Sequence, residues 1–132
     1  MSEHSINLTE AEWTVMECLW ENLSMSGKEL TEALESSMGW NRSTTLTLLR
    51  RLVAKGAVRE GKEGGKKSFH PELQREDAVL KETKSFLGRL YKGSLSLMVS
   101  SFTQKQALSK EDMEELYALL ERLKQEGDEE DA

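Results

Sequence analysis

With one cysteine, one proline and two histidines, the chain closes several routes before any pattern is read. Cys18 alone can make neither an intrachain disulfide nor a thiolate metal cluster. It sits in an apolar helical stretch, where a small buried hydrophobe is the simplest role. No apolar run is long enough to span a bilayer, so direct membrane insertion is not expected. The opening MSEHSINLTE lacks the basic and apolar regions of a signal peptide, and a cytoplasmic location is the expectation that follows. Enzyme signatures are equally scarce. His4 lies in a start read as disordered, and His70 stands at a strand end before Pro71, so neither joins a metal-binding spacing. GKEGGKKS (Gly61–Ser68) has the residue types of a phosphate loop but not their order, and it leads into a strand. No catalytic group, metal or cofactor is expected.

The net charge of −6 conceals a strong asymmetry. Residues 1–39 carry one Lys against eight Glu, residues 40–75 nine Lys/Arg against three Glu, and residues 76–132 eight Lys/Arg against thirteen Asp/Glu. A polyanion is met locally, within a Debye length of roughly 8–10 Å, so the basic middle decides more than the total.

Local signals order the elements. Thr9-Glu10-Ala11-Glu12 is a capping box opening a helix to about Glu21, with Trp13, Val15, Met16, Leu19 and Trp20 as its apolar stripe. Ser26-Gly27-Lys28-Glu29 is a second box, before a short helix carrying Leu30, Ala33 and Leu34. Asn41 is a fitting N-cap for a third helix, Arg42 to Lys55, closed by Gly56. Extended stretches Ala57–Glu60 and Lys67–His70 then flank a glycine-rich basic turn, the pattern of a β-hairpin. Helix, helix, helix, hairpin is the order of a winged helix-turn-helix, here ending near Leu73.

The third helix carries the functional argument. With Leu46, Leu49, Leu52 and Val53 facing inward, the opposite arc holds Ser43, Thr44, Thr47, Arg50 and Arg51. Such a helix fits a major groove, where Arg binds guanine bidentately and Thr packs on a thymine methyl. The helix start, with Asn41 and Arg42, offers free N–H groups to a phosphate. No Asp or Glu occurs between Asn41 and Glu60, whereas a merely solvated helix mixes signs. Lys55 completes the helix's cations. Lys62, Lys66 and Lys67 on the hairpin add a grip that positions without reading sequence.

Residues 74–126 read as three more helices. Their apolar positions include Phe86 and Leu90, then Leu95, Met98, Val99 and Phe102, then Leu116, Tyr117 and Leu120. So few residues do not bury that much apolar surface alone, and packing against a second copy is the simplest solution. Folding back onto the winged helix in a monomer is the competing arrangement. Gly127 is expected to end the last helix, leaving 127–132 as a disordered acidic tail. The fold class expected is therefore mostly α: residues 1–73 as a winged-helix DNA-binding domain, then residues 74–126 as a helical dimerisation domain.

These segments together resemble the penicillinase-repressor family, the BlaI/MecI/CopY type, and its BlaI/MecI branch most. The likeness runs from about Leu8 to Lys124 and rests on LTEAEWTVMECLW, WNRSTTLTLLRRLVAKGAV and KEGGKKSFHP. It continues with SFLGRLYKGSLSLMVSSF and LSKEDMEELYALLERLK, which generic winged helices lack. The resemblance implies a homodimer on double-stranded, palindromic operator DNA. It also implies induction by a membrane sensor with a cytoplasmic metalloprotease, which detects β-lactam and has the repressor cut within its dimerisation region. The family's scissile bond is Asn-Phe, and the matching position is Ser101-Phe102: Phe102 agrees and Ser101 departs. The Cys-x-Cys ligands of the copper-responsive branch are absent from the C-terminal part. Two other readings stay open: a repressor of this architecture answering an unrelated signal, and a winged helix that binds protein instead of DNA.

Overall fold

The computed structural model describes residues 6–131. In chain order these form α1 (Glu10–Asn22), β1 (Met25–Ser26), α2 (Gly27–Met38), α3 (Arg42–Lys55), β2 (Val58–Glu63), β3 (Lys66–Pro71), α4 (Arg75–Tyr91), α5 (Leu95–Gln104) and α6 (Lys110–Asp131). No helix among the described residues is long and apolar enough to cross a membrane. His4 and Ala132 lie outside the described residues.

The chain divides into two compact units, 1–83 and 84–132. In the first, α1, α2 and α3 enclose a core of Val15, Met16, Leu19, Leu30, Leu34, Leu48, Leu49 and Leu52, closed on one side by Val58 and Phe69 of the hairpin. Both expected capping boxes form. The Thr9 hydroxyl accepts from Glu12 N–H at 3.1 Å while the Glu12 carboxylate accepts from Thr9 N–H at 2.9 Å. Ser26 and Glu29 repeat the exchange at 3.1 and 3.0 Å. Gly56 ends α3 at φ 83°, a left-handed conformation that other residues adopt only with strain.

The sheet is antiparallel in the order β1-β3-β2. The hairpin is longer than its sequence suggests. Pairing runs from Val58↔Pro71 out to Glu63↔Lys66, which leaves Gly64-Gly65 as the turn, both at positive φ. A two-residue turn with φ > 0 at both positions matches the right-handed twist of the strands and needs glycine-like residues. The third strand, Met25–Ser26, gains its identity only by pairing with Phe69 and Ser68.

Leu73 and Ala78 belong to the core of the first unit, so its boundary falls inside α4, beyond Leu73. The Trp20 indole N–H donates to the Leu73 carbonyl at 2.8 Å, and Arg75 forms an ion pair with Glu17 at 3.0 Å. The second unit buries almost nothing. None of the residues of α5 is buried, and in α4 only Ala78, which lies in the first unit. Ser94 caps α5 by accepting from Leu97 N–H at 3.0 Å, and Ser109 caps α6 through Asp112 N–H at 3.0 Å. The expected stop at Gly127 does not occur: α6 continues to Asp131 in place of a disordered tail. Gly127 does not take the left-handed conformation that ends a helix, and an exposed helical glycine costs only about 1 kcal/mol.

Candidate nucleic-acid interface

Asn41 sets the start of α3. Its Oδ1 accepts from Thr44 N–H at 2.9 Å, so its first role is to hold the helix in place. From there Arg42, Ser43, Thr44, Thr47, Arg50 and Arg51 are all exposed. The buried arc holds Thr45, Leu48, Leu49 and Leu52, while Leu46 and Val53, expected inside, are only half-buried. The helix is therefore rolled from the expected phase, because Thr45 and Leu48 take the inner positions. The roll leaves Ser43, Thr47, Arg50 and Arg51 on the outer side. It also brings Leu46 and Val53 to a flank that sequence reasoning missed. There, Leu46 lines a shallow groove with Arg42, Arg50 and Lys67. A helical wheel with apolar residues on two flanks does not settle which flank the core takes.

Lys55 is a correction. Expected with the outward cations, it instead points to α1, where its ammonium meets Glu12 Oε1 at 2.6 Å and the Asn7 carbonyl at 2.9 Å. Glu12 is fully buried. Burial raises its pKa, but the Lys55 ammonium and the Thr9 N–H and hydroxyl outweigh that, and the carboxyl is held below its ordinary value. A buried carboxylate needs a partner, and Lys55 is the cation within reach.

The hairpin register divides the remaining lysines. Lys62 and Lys67 face each other across the strands, on the side shared with Phe69. Lys66 pairs with Glu63 on the other side. Glu63 is turned back on the protein: its Oε1 accepts from the Ser24 hydroxyl at 3.2 Å and stands 3.7 Å from His70 Nε2. Among the described residues, Arg42, Arg50, Arg51, Lys62 and Lys67 have no carboxylate in ion-pair range. Glu60 lies on the same side of the hairpin as Lys62 and Lys67 and lines the groove with Arg42 and Arg50. Cations thus outnumber carboxylates on this face, and α3 itself carries no carboxylate.

The residues expected to pair two copies sit in α4, α5 and α6. Leu90, Leu95, Phe102, Tyr117 and Leu120 are exposed, the last two at 69% and 61%; Phe86, Met98, Val99 and Leu116 are half-buried. Ser101 is half-buried in α5, and its hydroxyl donates to the Met98 carbonyl at 2.9 Å.

Comparison with known proteins agrees with this arrangement. The penicillinase repressor family matches residues 8–122. The penicillinase repressor of Bacillus licheniformis is 35% identical over 117 residues, covering 89% of this chain and 91% of that protein. The methicillin resistance regulatory protein MecI of Staphylococcus aureus is 28% identical over 122 residues, covering 92% and 99%. Among solved structures, the Bacillus licheniformis BlaI monomeric form in complex with the blaP half-operator superposes with a TM-score of 0.50 at 30% identity, over 55% of this chain and 88% of that one. The DNA-binding domain of the repressor BlaI gives the same score and identity, over 58% and 90%. With its three-helix core, its two-glycine wing and a match across nearly its whole length, the chain is a winged helix-turn-helix protein that belongs to the penicillinase repressor family.

Proposed function

We propose that the chain is a homodimeric transcriptional repressor. It grips a palindromic operator by laying α3 in the major groove and the Lys62/Lys67 side of the wing on the adjacent backbone. One observation carries this reading. The outer side of α3 exposes Ser43, Thr44, Thr47, Arg50 and Arg51, with no carboxylate on the helix and none in ion-pair range of the two arginines among the described residues. The two arginines suit guanine edges, and the hydroxyls suit phosphates and thymine methyls. Asn41 and Arg42 belong at the helix start, where backbone N–H groups favour a phosphate. That the BlaI monomeric form is solved on a half-operator supports DNA as the partner. It also favours DNA over a protein ligand for the winged helix.

Dimerisation is supported by the second unit, which leaves the apolar side chains of α5 and α6 uncovered. Release by proteolysis is what the family resemblance implies, with a membrane sensor that carries a cytoplasmic metalloprotease as the partner and Ser101-Phe102 as the bond. Phe102 matches the family's Asn-Phe bond and Ser101 departs from it. A cut there would separate α6 from α4. It would remove apolar burial worth about 25 cal/mol per Å², and the avidity of two linked half-sites would be lost with it.

Footprinting on the protein's own promoter region tests the proposal. Two protected half-sites, centred about 10 base pairs apart, are expected, with affinity falling steeply as salt rises. Equal affinity for promoter and random DNA would overturn it.

A further inference from the structure

The short segment Ile6–Leu8 lies before α1 and outside any helix or strand, yet lysines from two different helices converge on it. Lys81 of α4 donates to the Ile6 carbonyl at 3.0 Å, and Lys55 of α3 to the Asn7 carbonyl at 2.9 Å. Ile6 and Leu8 are themselves half-buried against the core. A lysine side chain gives up about 2 kcal/mol of rotamer freedom when it is fixed in one place. Two of them ordered on adjacent peptide units make the segment a strap between the end of α3 and the early turns of α4.

The early part of α4 is also held at a second point, by the Arg75–Glu17 ion pair at 3.0 Å. Residues 75 and 81 are about 9 Å apart along a helix axis. A helix attached at one point can pivot there. Attachment at two points about 9 Å apart fixes its direction, and Ala78 is buried between them. Both attachments lead back to α3: Glu17 lies on α1, which Lys55 joins through Glu12, and the strap that receives Lys81 receives Lys55 directly.

We infer that Lys81 is a positioning residue for operator binding: through the Ile6–Leu8 strap it fixes the direction of the early turns of α4 relative to α3, and so restricts which half-site spacing a dimer accepts. The inference rests on the repressor reading above, since half-site spacing has meaning only for a dimer on DNA.

The test uses the full chain and its Lys81→Met and Lys81→Arg variants in gel-shift titrations on three DNA fragments. These are a single half-site, the footprinted operator, and that operator with two base pairs inserted between its half-sites. The insertion moves one half-site by about 7 Å and turns it by about 70°. The unchanged protein is expected to prefer the natural spacing by about tenfold or more. Lys81→Met is expected to bind the half-site within about twofold of the parent, which also shows that its winged helix is folded. Its spacing preference should shrink to about threefold or less, and Lys81→Arg should restore it. A Lys81→Met protein that keeps the parental preference overturns the inference, as does one whose half-site affinity falls in parallel with the whole. A parent protein that binds the footprinted operator no better than random DNA defeats the repressor reading itself, a result visible before any variant is made.

Discussion

Leu120 offers the sharpest test of the second unit. It lies in the middle of α6 and is 61% exposed in a single chain, next to Tyr117 and one turn from Leu116 and Leu123. Full burial of a leucine contributes about 1.5–3 kcal/mol. Covering the exposed three-fifths therefore contributes about 1–2 kcal/mol per copy. In a two-fold dimer the position occurs twice, and alanine retains part of the area. Leu120→Ala should then weaken the dimer by about 2 kcal/mol, or about thirtyfold in dissociation constant. Sedimentation equilibrium over a range of concentrations reads this directly. The half-site affinity of the variant should stay that of the parent, because Leu120 lies outside the first unit. A dimer dissociation constant that moves less than about twofold would refute the reasoning, since it would mean that this side of α6 stays in water.

Other expectations follow from the first unit. Arg51→Ala should cost about 1–3 kcal/mol of operator affinity and relax the sequence preference at one position, whereas Lys62→Ala should weaken all DNA alike and lower the slope of affinity against salt by about one; titrations on matched and mismatched operators at several salt concentrations separate the two. Glu12→Gln should lower stability by about 1.5–3 kcal/mol in denaturant unfolding, because a buried charge-assisted hydrogen bond to Lys55 is lost. Since the folded chain holds the Glu12 carboxyl below its ordinary value of about 4.3, the unfolded chain binds its proton first as the pH falls. This part of the stability is present above the ordinary value, declines as the pH drops from there through the folded value, and is missing from the acid limb of a Glu12→Gln profile. Gly61→Ala should shift the wing, since an added Cβ would lie 3.2 Å from Ser68 Oγ and 3.3 Å from His70 Nε2, atoms themselves 2.9 Å apart; the His70 ring resonances in an NMR spectrum report the displacement.

What could be read in the sequence and what could not divide along the range of the forces involved. Thr9 with Glu12, and Ser26 with Glu29, act across three residues, so the starts of α1 and α2 were legible and the capping bonds form as expected. Asn41 and Gly56 bracket α3 for the same reason. The exposed hydroxyls and arginines of that helix follow from its composition, because Ser43, Thr47, Arg50 and Arg51 stay opposite the leucines whichever of them is central. Lys55 was misjudged because its partner, Glu12, lies 43 residues away in sequence. Nothing local marks a glutamate as destined for full burial, and in the capping box it looks like an ordinary surface residue. β1 escaped notice on similar grounds: two residues carry no periodicity, and Met25–Ser26 is a strand only because Phe69 and Ser68 lie alongside. The phase of α3 is the intermediate case. Leu46 and Val53 are as apolar as Leu48 and Leu49, so periodicity narrows the inner side to a wide arc without choosing its centre. The choice is made by what packs against it, and that puts Leu46 beside Arg42 and Arg50 on the groove flank instead of at the centre of the core.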